Sequence, residues 1–310
     1  MWINLILRTV EQGLAFGLLA MGVYITFRIL DFPDLTVEGS FPLGAAITAR
    51  FIVMGTDPFL ATLFAFAAGA CAGIITGLIN TKLKIAGLLA GILTMTSLYS
   101  INLRIMGRSN IPLLREPTII NRIEGFVEKL GMNSDYVSLF AFIIIIFLIK
   151  ILLDYFLYTE MGMSLRATGN NPVMIESLGV NTDVYKIMGL ALANGLVALS
   201  GSIVAQYQGF TDVGMGIGMI VIGLASVIIG EVVIRTSKIP LATLGVIVGA
   251  IIYRLAIALA LQLGFAPTDL KIVTAVLVIF SLGAPTLRKF MIQDEFAEHL
   301  MERGSSDAES

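Results

Sequence analysis

The feature that most constrains this chain is a succession of long apolar segments separated by short polar connections. A helix needs about 20 consecutive apolar residues to cross the hydrocarbon core of a bilayer. About nine stretches approach that length, at residues 9–30, 41–55, 58–80, 85–106, 136–158, 184–206, 214–234, 240–264 and 270–287. Only 14% of the residues are charged, whereas soluble domains carry about 25%. The sequence therefore predicts an all-α, polytopic membrane protein.

One transmembrane domain is predicted over residues 1–290, followed by an acidic tail at 291–310. The first apolar run lacks the basic stretch and the small-residue cleavage site of a signal peptide, so we expect a retained span. The second segment is short and carries Arg50, which favours a half-helix over a full span. The long connection at 107–135 contains both basic and acidic residues, and we expect it to be an external loop.

Short connections rich in Lys and Arg face the cytoplasm in membrane proteins. Alternation of the predicted spans places four basic connections on one side, at Lys82/Lys84, Arg166, Arg235/Lys238 and Arg288/Lys289. We therefore expect the loop at 159–183 and the C-terminal tail to be cytoplasmic. The same alternation places the N-terminus outside, an expectation that depends on how the second segment is counted.

Several classes of site are excluded by what the sequence lacks. It contains no G-x-x-x-x-G-K-S/T motif, so we expect no P-loop for ATP in this chain. The single histidine is His299 and the single cysteine is Cys71, which argues against a metal site and against His-based catalysis. The net charge of −2 argues against a nucleic-acid partner. We expect a membrane protein surrounded by lipid, with neither catalytic activity nor a cofactor of its own.

The polar loop at residues 161–183 has the pattern of a short helix with both ends marked. Asn171 is suited to cap the first turn, and Pro172 then occupies the first helical position. Gly179 falls where a left-handed residue would end the last turn. The pattern predicts a rigid surface helix of roughly two turns, from Pro172 to Leu178, and a flexible connection would need none of it. We interpret the loop as a surface that docks a partner.

The stretch Asp31-Phe-Pro-Asp-Leu-Thr-Val-Glu-Gly-Ser-Phe41 joins the first two segments without any Lys or Arg. Its acids are Asp31, Asp34 and Glu38, and Pro33 prevents a continuous helix. Unwound backbone is tolerated at membrane depth only where protein or a water-filled cavity satisfies it. We interpret the stretch as a wall of the solute pathway, with an ordinary cytoplasmic turn as the alternative.

Other polar residues fall inside predicted spans. Arg254 lies near the centre of the eighth segment, where a charged side chain faces a partner or an aqueous lumen. Glu231 and the acids at 31–38 are its candidate partners, either in a structural pair or along a pathway. Polar side chains of the fourth and sixth spans fit pore lining or interhelical hydrogen bonds: Thr94, Ser97 and Asn194.

Two further patterns concern the packing of the spans. Glycines recur at four-residue spacing, which lets helices approach closely, at Gly13/Gly17, Gly69/Gly73/Gly77, Gly87/Gly91 and Gly245/Gly249. Internal packing is the favoured interpretation, and a dimer seam is the alternative. The motif Pro58-Phe-Leu-Ala-Thr-Leu63 is similar to Pro240-Leu-Ala-Thr-Leu244, five segments later. An odd offset reverses the direction of the spans and indicates an inverted repeat, with chance similarity between apolar helices as the alternative.

The run Met163-Ser-Leu-Arg-Ala-Thr-Gly-Asn-Asn-Pro172, followed by Glu176, Gly179-Val-Asn181 and Tyr185-Lys186, resembles the signature loop of a known family. This is the branched-chain amino acid/ribose class of ABC importer permeases. The opening span and residues 214–250 extend the resemblance over nearly the whole chain. More narrowly, residues 31–42 are similar to the permeases of tryptophan/tyrosine-type uptake systems in bacteria.

The resemblance implies a type II ABC importer-like bundle in the bacterial plasma membrane, paired with a second permease copy as a homodimer. It also implies an ATP-binding subunit, which would hold ATP and Mg, and an extracellular solute-binding protein. The implied solute is an amino acid. Carried onto this chain, coupling to the ATPase would involve Arg166 as a charged anchor, together with Gly169, Asn170, Asn171, Pro172, Glu176 and Gly179.

Two other functions are compatible with the residues. An ion-coupled secondary transporter would use Asp31, Glu38 or Glu231 as a proton or sodium relay. A membrane scaffold or channel component would bind a partner at 161–183 without transporting solute by itself.

Overall fold

The computed structural model describes residues 2–128, 137–266, 269, 272–276 and 279. Two three-residue strands, β1 (Asn110–Pro112) and β2 (Phe210–Asp212), pair antiparallel. A π-helical turn, Tyr24–Ile29, extends the first helix, and a 3₁₀ turn, Val213–Gly216, precedes the tenth. The α-helices are α1 (Trp2–Val23), α2 (Val37–Val53), α3 (Pro58–Thr81), α4 (Gly87–Met106), α5 (Ile119–Glu128), α6 (Val137–Tyr158), α7 (Glu160–Asn170), α8 (Pro172–Ser177), α9 (Thr182–Gln208), α10 (Met219–Val233) and α11 (Ile239–Gln262).

Within the described residues, seven segments are long and apolar enough to cross a membrane. They coincide with seven of the nine predicted segments, so the predicted count of nine is approximate. The second predicted segment is α2, whose 17 residues fall short of a full span. The ninth predicted segment, 270–287, and the predicted tail at 291–310 lie largely or wholly outside the described residues.

Helix α1 runs through the bundle from one end to the other. Near its start, the Glu11 carboxylate accepts hydrogen bonds from Ser138 on α6 and from Tyr207 on α9. Beyond its other end, Ile29 lies against Gly169 of α7. The end of the bundle that holds α7 and α8 is called the loop end below. The opposite end, which holds β1 and β2, is called the strand end.

After α1 the chain turns back into the bundle without forming a helix. Asp31 adopts a positive φ of 52°, and residues 31–34, which include Pro33, have no regular structure. Helix α2 then begins at Val37, and its Ser40 hydroxyl reaches Asn194 in the middle of α9. The predicted break and the predicted half-helix are both confirmed.

The candidate span Val213–Val233 contains a 3₁₀ turn and a second half-helix, α10. Helix α10 also starts inside the bundle but runs in the direction opposite to α2. Helix α9 ends at the strand end, and the following residues fold inward along α2 until the Gly218 amide reaches the Glu38 carboxylate. From there α10 extends for 15 residues to the loop end, where Glu231 pairs with Arg28. Helices α2 and α10 therefore each cross only part of the bundle, and they extend from its interior towards opposite ends.

The two halves of the chain repeat this arrangement in opposite directions. Helices α1, α2 and α3 correspond to α9, α10 and α11, and the same number of positions separates Val37 from Met219 and Pro58 from Pro240. Helix α3 packs along α9, and α11 packs along α1. Each of these packings becomes the other when the two halves of the chain are interchanged. This packing agrees with the inverted repeat that the two proline motifs predict.

The spaced glycines contact neighbours inside this chain. Gly13 and Gly17 face α11, the glycines of α3 face α9, and those of α11 face α10. Gly87 and Gly91 face the non-helical stretch that precedes α2. These contacts support internal packing, the favoured interpretation, over a dimer seam.

Candidate coupling and translocation sites

Helix α8 is fixed at both ends by its own neighbours in the sequence. The Asn171 side-chain oxygen accepts a hydrogen bond from the Met174 amide at 3.0 Å, and Pro172 follows it as the first helical residue. At the other end, Gly179 adopts a φ of +83°. Its amide donates to the Glu176 carbonyl, and the next amide, of Val180, donates to the Ile175 carbonyl. These bonds form a Schellman C-cap, so the predicted caps of this short helix are confirmed.

Helix α8 exposes three apolar side chains beside those of Glu176 and Ser177, although it lies at a polar end of the bundle. Val173, Met174 and Leu178 are 74%, 55% and 67% exposed, whereas Ile175 is buried against the body of the protein. These three exposed side chains are called the coupling surface below. Sequence reasoning selected the capping residues and missed this surface, because the sequence does not distinguish an exposed apolar residue of a short helix from a packed one.

The first half of the predicted loop is a helix in its own right. Thr159 caps α7 by accepting a hydrogen bond from the Gly162 amide, so α7 follows α6 almost directly. Arg166, Gly169 and Asn170 therefore lie on α7, whereas the other predicted coupling residues lie on or beside α8. A polar composition concealed this helix, because hydropathy marks only helices that lie in the membrane.

A cavity of about 1180 Å³ opens at the loop end between α1, α7 and the α10–α11 connection. Five charged residues line it: Asp31, Glu231, Arg28, Arg166 and Arg235. The Arg28 guanidinium lies 2.7 Å from the Glu231 carboxylate and joins the π-helical turn to α10. Both side chains are well exposed, so the pair contributes about 0–1 kcal/mol of stability. Among the described residues, no three His, Cys, Asp or Glu side chains are grouped as metal ligands.

Arg254 does not pair with Glu231 or with the acids at 31–38, so that expectation was wrong. Its guanidinium lies 3.5 Å from the centroid of the Phe16 ring on α1, a cation–π contact. Its Nε atom is buried without a hydrogen-bond partner. Arg254 lies roughly 22 Å along α11 from Ile239 at the loop end, whereas Glu231 lies near that end beside Arg28. The position of Arg254 in the sequence predicted its depth within the span but not which residues surround it.

Asp34 is 2% exposed and lies at the start of α2. One carboxylate oxygen accepts from the Thr36 amide at 2.9 Å, and the other accepts from the Asn194 side-chain amide at 2.7 Å. The Ser40 hydroxyl donates to the Asn194 side-chain oxygen at 2.7 Å. The structure thus brings the predicted residues Asp34 and Asn194 together in an interhelical hydrogen-bond network. Such bonds offset the cost of burying a carboxylate.

Two related polar contacts lie nearby. The hydroxyls of Thr36, Thr76 and Thr94 form a chain with spacings of 2.8 and 2.9 Å that joins the non-helical stretch to α3 and α4. The Glu38 carboxylate accepts from the Gly218 amide at 3.0 Å, at the start of α10, where a helix N-terminus favours negative charge. Asp34 therefore lies just before the start of α2, and the Glu38 carboxylate lies at the start of α10.

The face of α4 that points away from the bundle is exposed and mixed in character: apolar side chains such as Leu89 and Leu93 lie there, beside a row of polar side chains that is called the polar face of α4 below. It carries Thr96, Ser97, Ser100 and Arg104, and the first two hydroxyls donate to carbonyl groups of their own helix. Polar and charged side chains on a spanning helix usually face a neighbouring helix or an aqueous path rather than lipid. Of the predicted pathway residues, Ser97 lies on this face, and Thr94 lies on the opposite, buried face.

A buried ion pair on α6 was not selected from the sequence. Lys150 Nζ lies 2.5 Å from Asp154 Oδ2, and the Thr243 hydroxyl donates to Asp154 Oδ1 at 2.7 Å. Both charged side chains are about nine-tenths buried, and the cluster joins α6 to α11. The signal was present, since a Lys and an Asp four residues apart stand in an otherwise apolar span.

Over residues 5–282 the chain matches a family described as branched-chain amino acid transport system / permease component. The tyrosine transport system permease protein of Clostridioides difficile (strain R20291) is 46% identical over 91% of this chain and 92% of its own length. An uncharacterised protein of Rickettsia prowazekii (strain Madrid E) is 35% identical over 91% of this chain and 98% of its own length. Among solved structures, PsaBC from Streptococcus pneumoniae in complex with Fab aligns with 90% of this chain and 90% of that chain, at 14% identity and a TM-score of 0.49.

The family match includes all seven candidate spans together with α7 and α8. It agrees with the resemblance carried by the loop motif and by the stretch around Asp34. The chain therefore belongs to the family of branched-chain amino acid transport system permeases, the membrane-spanning subunits of ABC importers.

Proposed function

We propose that this ABC importer permease transports an amino acid, with aromatic amino acids as the first candidates. Two observations support this solute. Residues 31–42 resemble the permeases of tryptophan/tyrosine-type uptake systems, and the relative that is 46% identical is a tyrosine transport system permease protein. The cavity at the loop end, which Asp31 and Glu231 line, would be part of the pathway rather than a site of high affinity, because affinity in such importers resides in the solute-binding protein.

The observation that carries the coupling proposal is the construction of α8. A helix capped at both ends by Asn171 and Gly179 presents three exposed apolar side chains to the solvent. In addition, the Thr182 hydroxyl donates to the Glu176 carboxylate at 2.5 Å and braces α8 against α9. A groove on an ATP-binding subunit would cover the coupling surface. Because α8 is already ordered, docking costs little conformational entropy and movement of the subunit moves the helix as one body.

The proposed roles of the seven coupling residues follow from their positions. Asn171, Pro172, Glu176 and Gly179 shape and brace α8. Gly169 seats α7 against the backbone of Ile29. Arg166 and Asn170 line the cavity behind α8, so Arg166 acts on the charges of this chain in addition to any contact with the ATP-binding subunit.

A second copy of the chain would cover the polar face of α4 and complete the solute pathway. Thr96, Ser97, Ser100 and Arg104 would then face an aqueous lumen between the two copies. In this arrangement the loop end is cytoplasmic and binds the ATP-binding subunit. The strand end is extracellular and receives the solute-binding protein. Alternating access would open the path to each side in turn as the ATP-binding subunits close and separate.

Uptake by proteoliposomes tests this proposal. The permease would be reconstituted with ATP-binding and solute-binding proteins from the same organism, and accumulation of labelled tyrosine, tryptophan and leucine would be followed. We expect accumulation of at least one of them that requires ATP and survives collapse of the ion gradients. Accumulation that requires an ion gradient and not ATP would contradict the proposal and favour a secondary transporter.

The coupling surface is tested in the same preparation. Replacing Val173 and Met174 with Ser should weaken binding of the ATP-binding subunit about tenfold or more, because two buried apolar contacts are lost. Leu263→Ser is the matched control, since Leu263 is 80% exposed at the far end of α11 and should leave binding unchanged. Equal binding of the ATP-binding subunit by the unmodified permease, the Val173/Met174 variant and Leu263→Ser would contradict the assignment of the coupling surface.

A further inference from the structure

Residues 29–36, called the crossing segment below, lie against α7 at the loop end. A Cβ atom added at Gly169 would overlap the Ile29 carbonyl oxygen and would lie 2.8 Å from the Leu30 Cα atom. The two backbones therefore touch without a side chain between them. Such a contact transmits displacement, because close-packed backbone has no soft side chain to absorb it. A π-helical turn leads into the segment, and such turns are frequent at functional sites.

The crossing segment is fastened at two points to α9, the longest of the described helices. The Leu30 side chain fills the space over Gly189, where an added Cβ would lie 2.5 Å from its Cδ1 atom. Four residues later, the Asp34 carboxylate binds the Asn194 side chain at 2.7 Å. These two contacts determine where the segment crosses α9 and how it is oriented.

The far end of the crossing segment rests on α4. The Phe32 ring lies 2.7 Å from the position of a Cβ added at Gly87, and the Leu35 amide nitrogen lies 2.8 Å from that of a Cβ added at Gly91. One turn further along the same side of α4, Thr94 joins the hydroxyl chain that begins at Thr36. The polar face of α4 lies on the opposite side of the same helix, so a shift of the crossing segment moves that face.

We propose that the crossing segment links the α7–α8 unit to α4, with Asp34 and Asn194 as positioning residues that keep the segment seated between them. The inference rests on the proposed function, since it requires an ATP-binding subunit to move α8. Neither residue touches the solute. Their carboxylate–amide bond holds the segment in the position in which α7 contacts one end and α4 the other.

Distance measurements between spin labels on the two permease copies test the link directly. The labels would be placed at Ser177 on α8 and at Ile101 on the exposed side of α4, in the complete transporter with Cys71 replaced by Ser. In the otherwise unmodified protein, a non-hydrolysable ATP analogue should change both label distances. In Asp34→Asn and in Asn194→Asp the α8 label should still respond, while the α4 response falls by at least half. Uptake per ATP hydrolysed should fall about tenfold, as expected for the loss of one hydrogen bond to a charged group.

The exchange variant D34N/N194D restores an amide and a carboxylate facing each other and should recover most of the α4 response. Asp212→Asn is the matched control, because Asp212 also accepts from a backbone amide two residues later but lies at the strand end. Gly91→Ala tests the other end of the link by inserting a methyl group against Leu35. Its control is Gly17→Ala, where the nearest atom would be 3.5 Å away.

A normal α4 response together with normal uptake per ATP in Asp34→Asn, Asn194→Asp and Gly91→Ala would overturn the link. Loss of the α8 response in the single variants would also overturn it, because the defect would then precede the crossing segment. Absence of any ATP-dependent response at α8 in the unmodified protein would instead refute the proposed function, and the link would fall with it.

Discussion

Helix α8 and the crossing segment are both short, both interrupt the pattern of spans, and are held in place by different kinds of contact. The bonds that shape α8 join residues three to five positions apart, such as Asn171 with Met174 and Ile175 with Val180. The crossing segment has local bonds too, but the contacts that position it come from distant helices, such as that between Asp34 and Asn194. The ends of α8 are specified by its own sequence, whereas the crossing segment has no defined position until α4, α7 and α9 surround it.

The difference matches the proposed tasks of the two regions. A surface that docks a partner benefits from being rigid on its own, because little order remains to be created on binding. A segment that links helices must instead be held by those helices, because a segment held only by its own contacts would not move when the helices move. We therefore expect substitutions in α8 to affect coupling with small losses of stability, and substitutions around the crossing segment to affect both.

The largest loss of stability is expected in a third region, the ion pair of Lys150 and Asp154 on α6, which is local in sequence but deeply buried. Asp154→Leu would leave the Lys150 ammonium buried without its carboxylate and should lower the free energy of unfolding by about 3–5 kcal/mol. Titration with a denaturing detergent measures the loss. The double variant K150M/D154L should recover most of it. A loss below about 1 kcal/mol is typical of an exposed pair. It would show that the short sequence separation of the two residues, and not their burial, determines the loss of stability.

Asn194→Leu should have the next largest effect, because it removes the amide from the buried Asp34 carboxylate and the acceptor from Ser40. We expect a loss of about 2–3 kcal/mol in the same titration. Asn80→Leu is the control, since Asn80 makes one bond, to the Ile85 carbonyl, in a partly buried position. Equal losses in the two variants would remove the distinction between the crossing segment and an ordinary polar contact.

Gly179→Val should cost about 1–2 kcal/mol locally, because a β-branched residue is strained at a φ of +83°. Coupling should suffer more than stability, so solute-stimulated ATP hydrolysis should fall while expression is retained. Gly55→Val imposes the same strain at a φ of +85°, with no atom near the added Cβ. Loss of stimulated hydrolysis in both variants, or in neither, would contradict the role of α8.

Asn171→Ala should have the smallest effect on the whole protein. Removing the cap costs about 1 kcal/mol, and the loss should be confined to α8. Hydrogen exchange measures it, and the Met174 amide should exchange about fivefold faster while amides in the middle of α9 remain unchanged. A comparable change in α9 would mean that α8 is not the self-contained unit its contacts describe.

The same contrast explains what could be predicted from the sequence. The caps of α8, the break at Pro33 and the half-helix that carries Arg50 were predictable, because each depends on local backbone chemistry or on the length of an apolar run. The partner of Arg254 was not, because the sequence does not say which ring of α1 faces it. Helix α7 was missed, since a polar helix outside the membrane gives no hydropathy signal.

The candidate site residues divide in the same way. Asp34 and Asn194 were each selected for their polarity at membrane depth, but nothing in either stretch indicated that they bind each other. Their contact follows from the reversal of the chain at Asp31 and the position of α9 beside it. The coupling surface was overlooked for the opposite reason, since Val173, Met174 and Leu178 look like ordinary apolar residues until their exposure is known.

The central claim is that α8 docks an ATP-binding subunit in the cytoplasm. Labelling with a membrane-impermeant thiol reagent tests it most directly, with Met174→Cys in a Cys71→Ser background. The account predicts labelling in inside-out vesicles but not in intact cells, and protection of the thiol once the ATP-binding subunit is bound. Labelling of intact cells would place α8 on the outer surface, where no ATP-binding subunit reaches it, and would contradict the account.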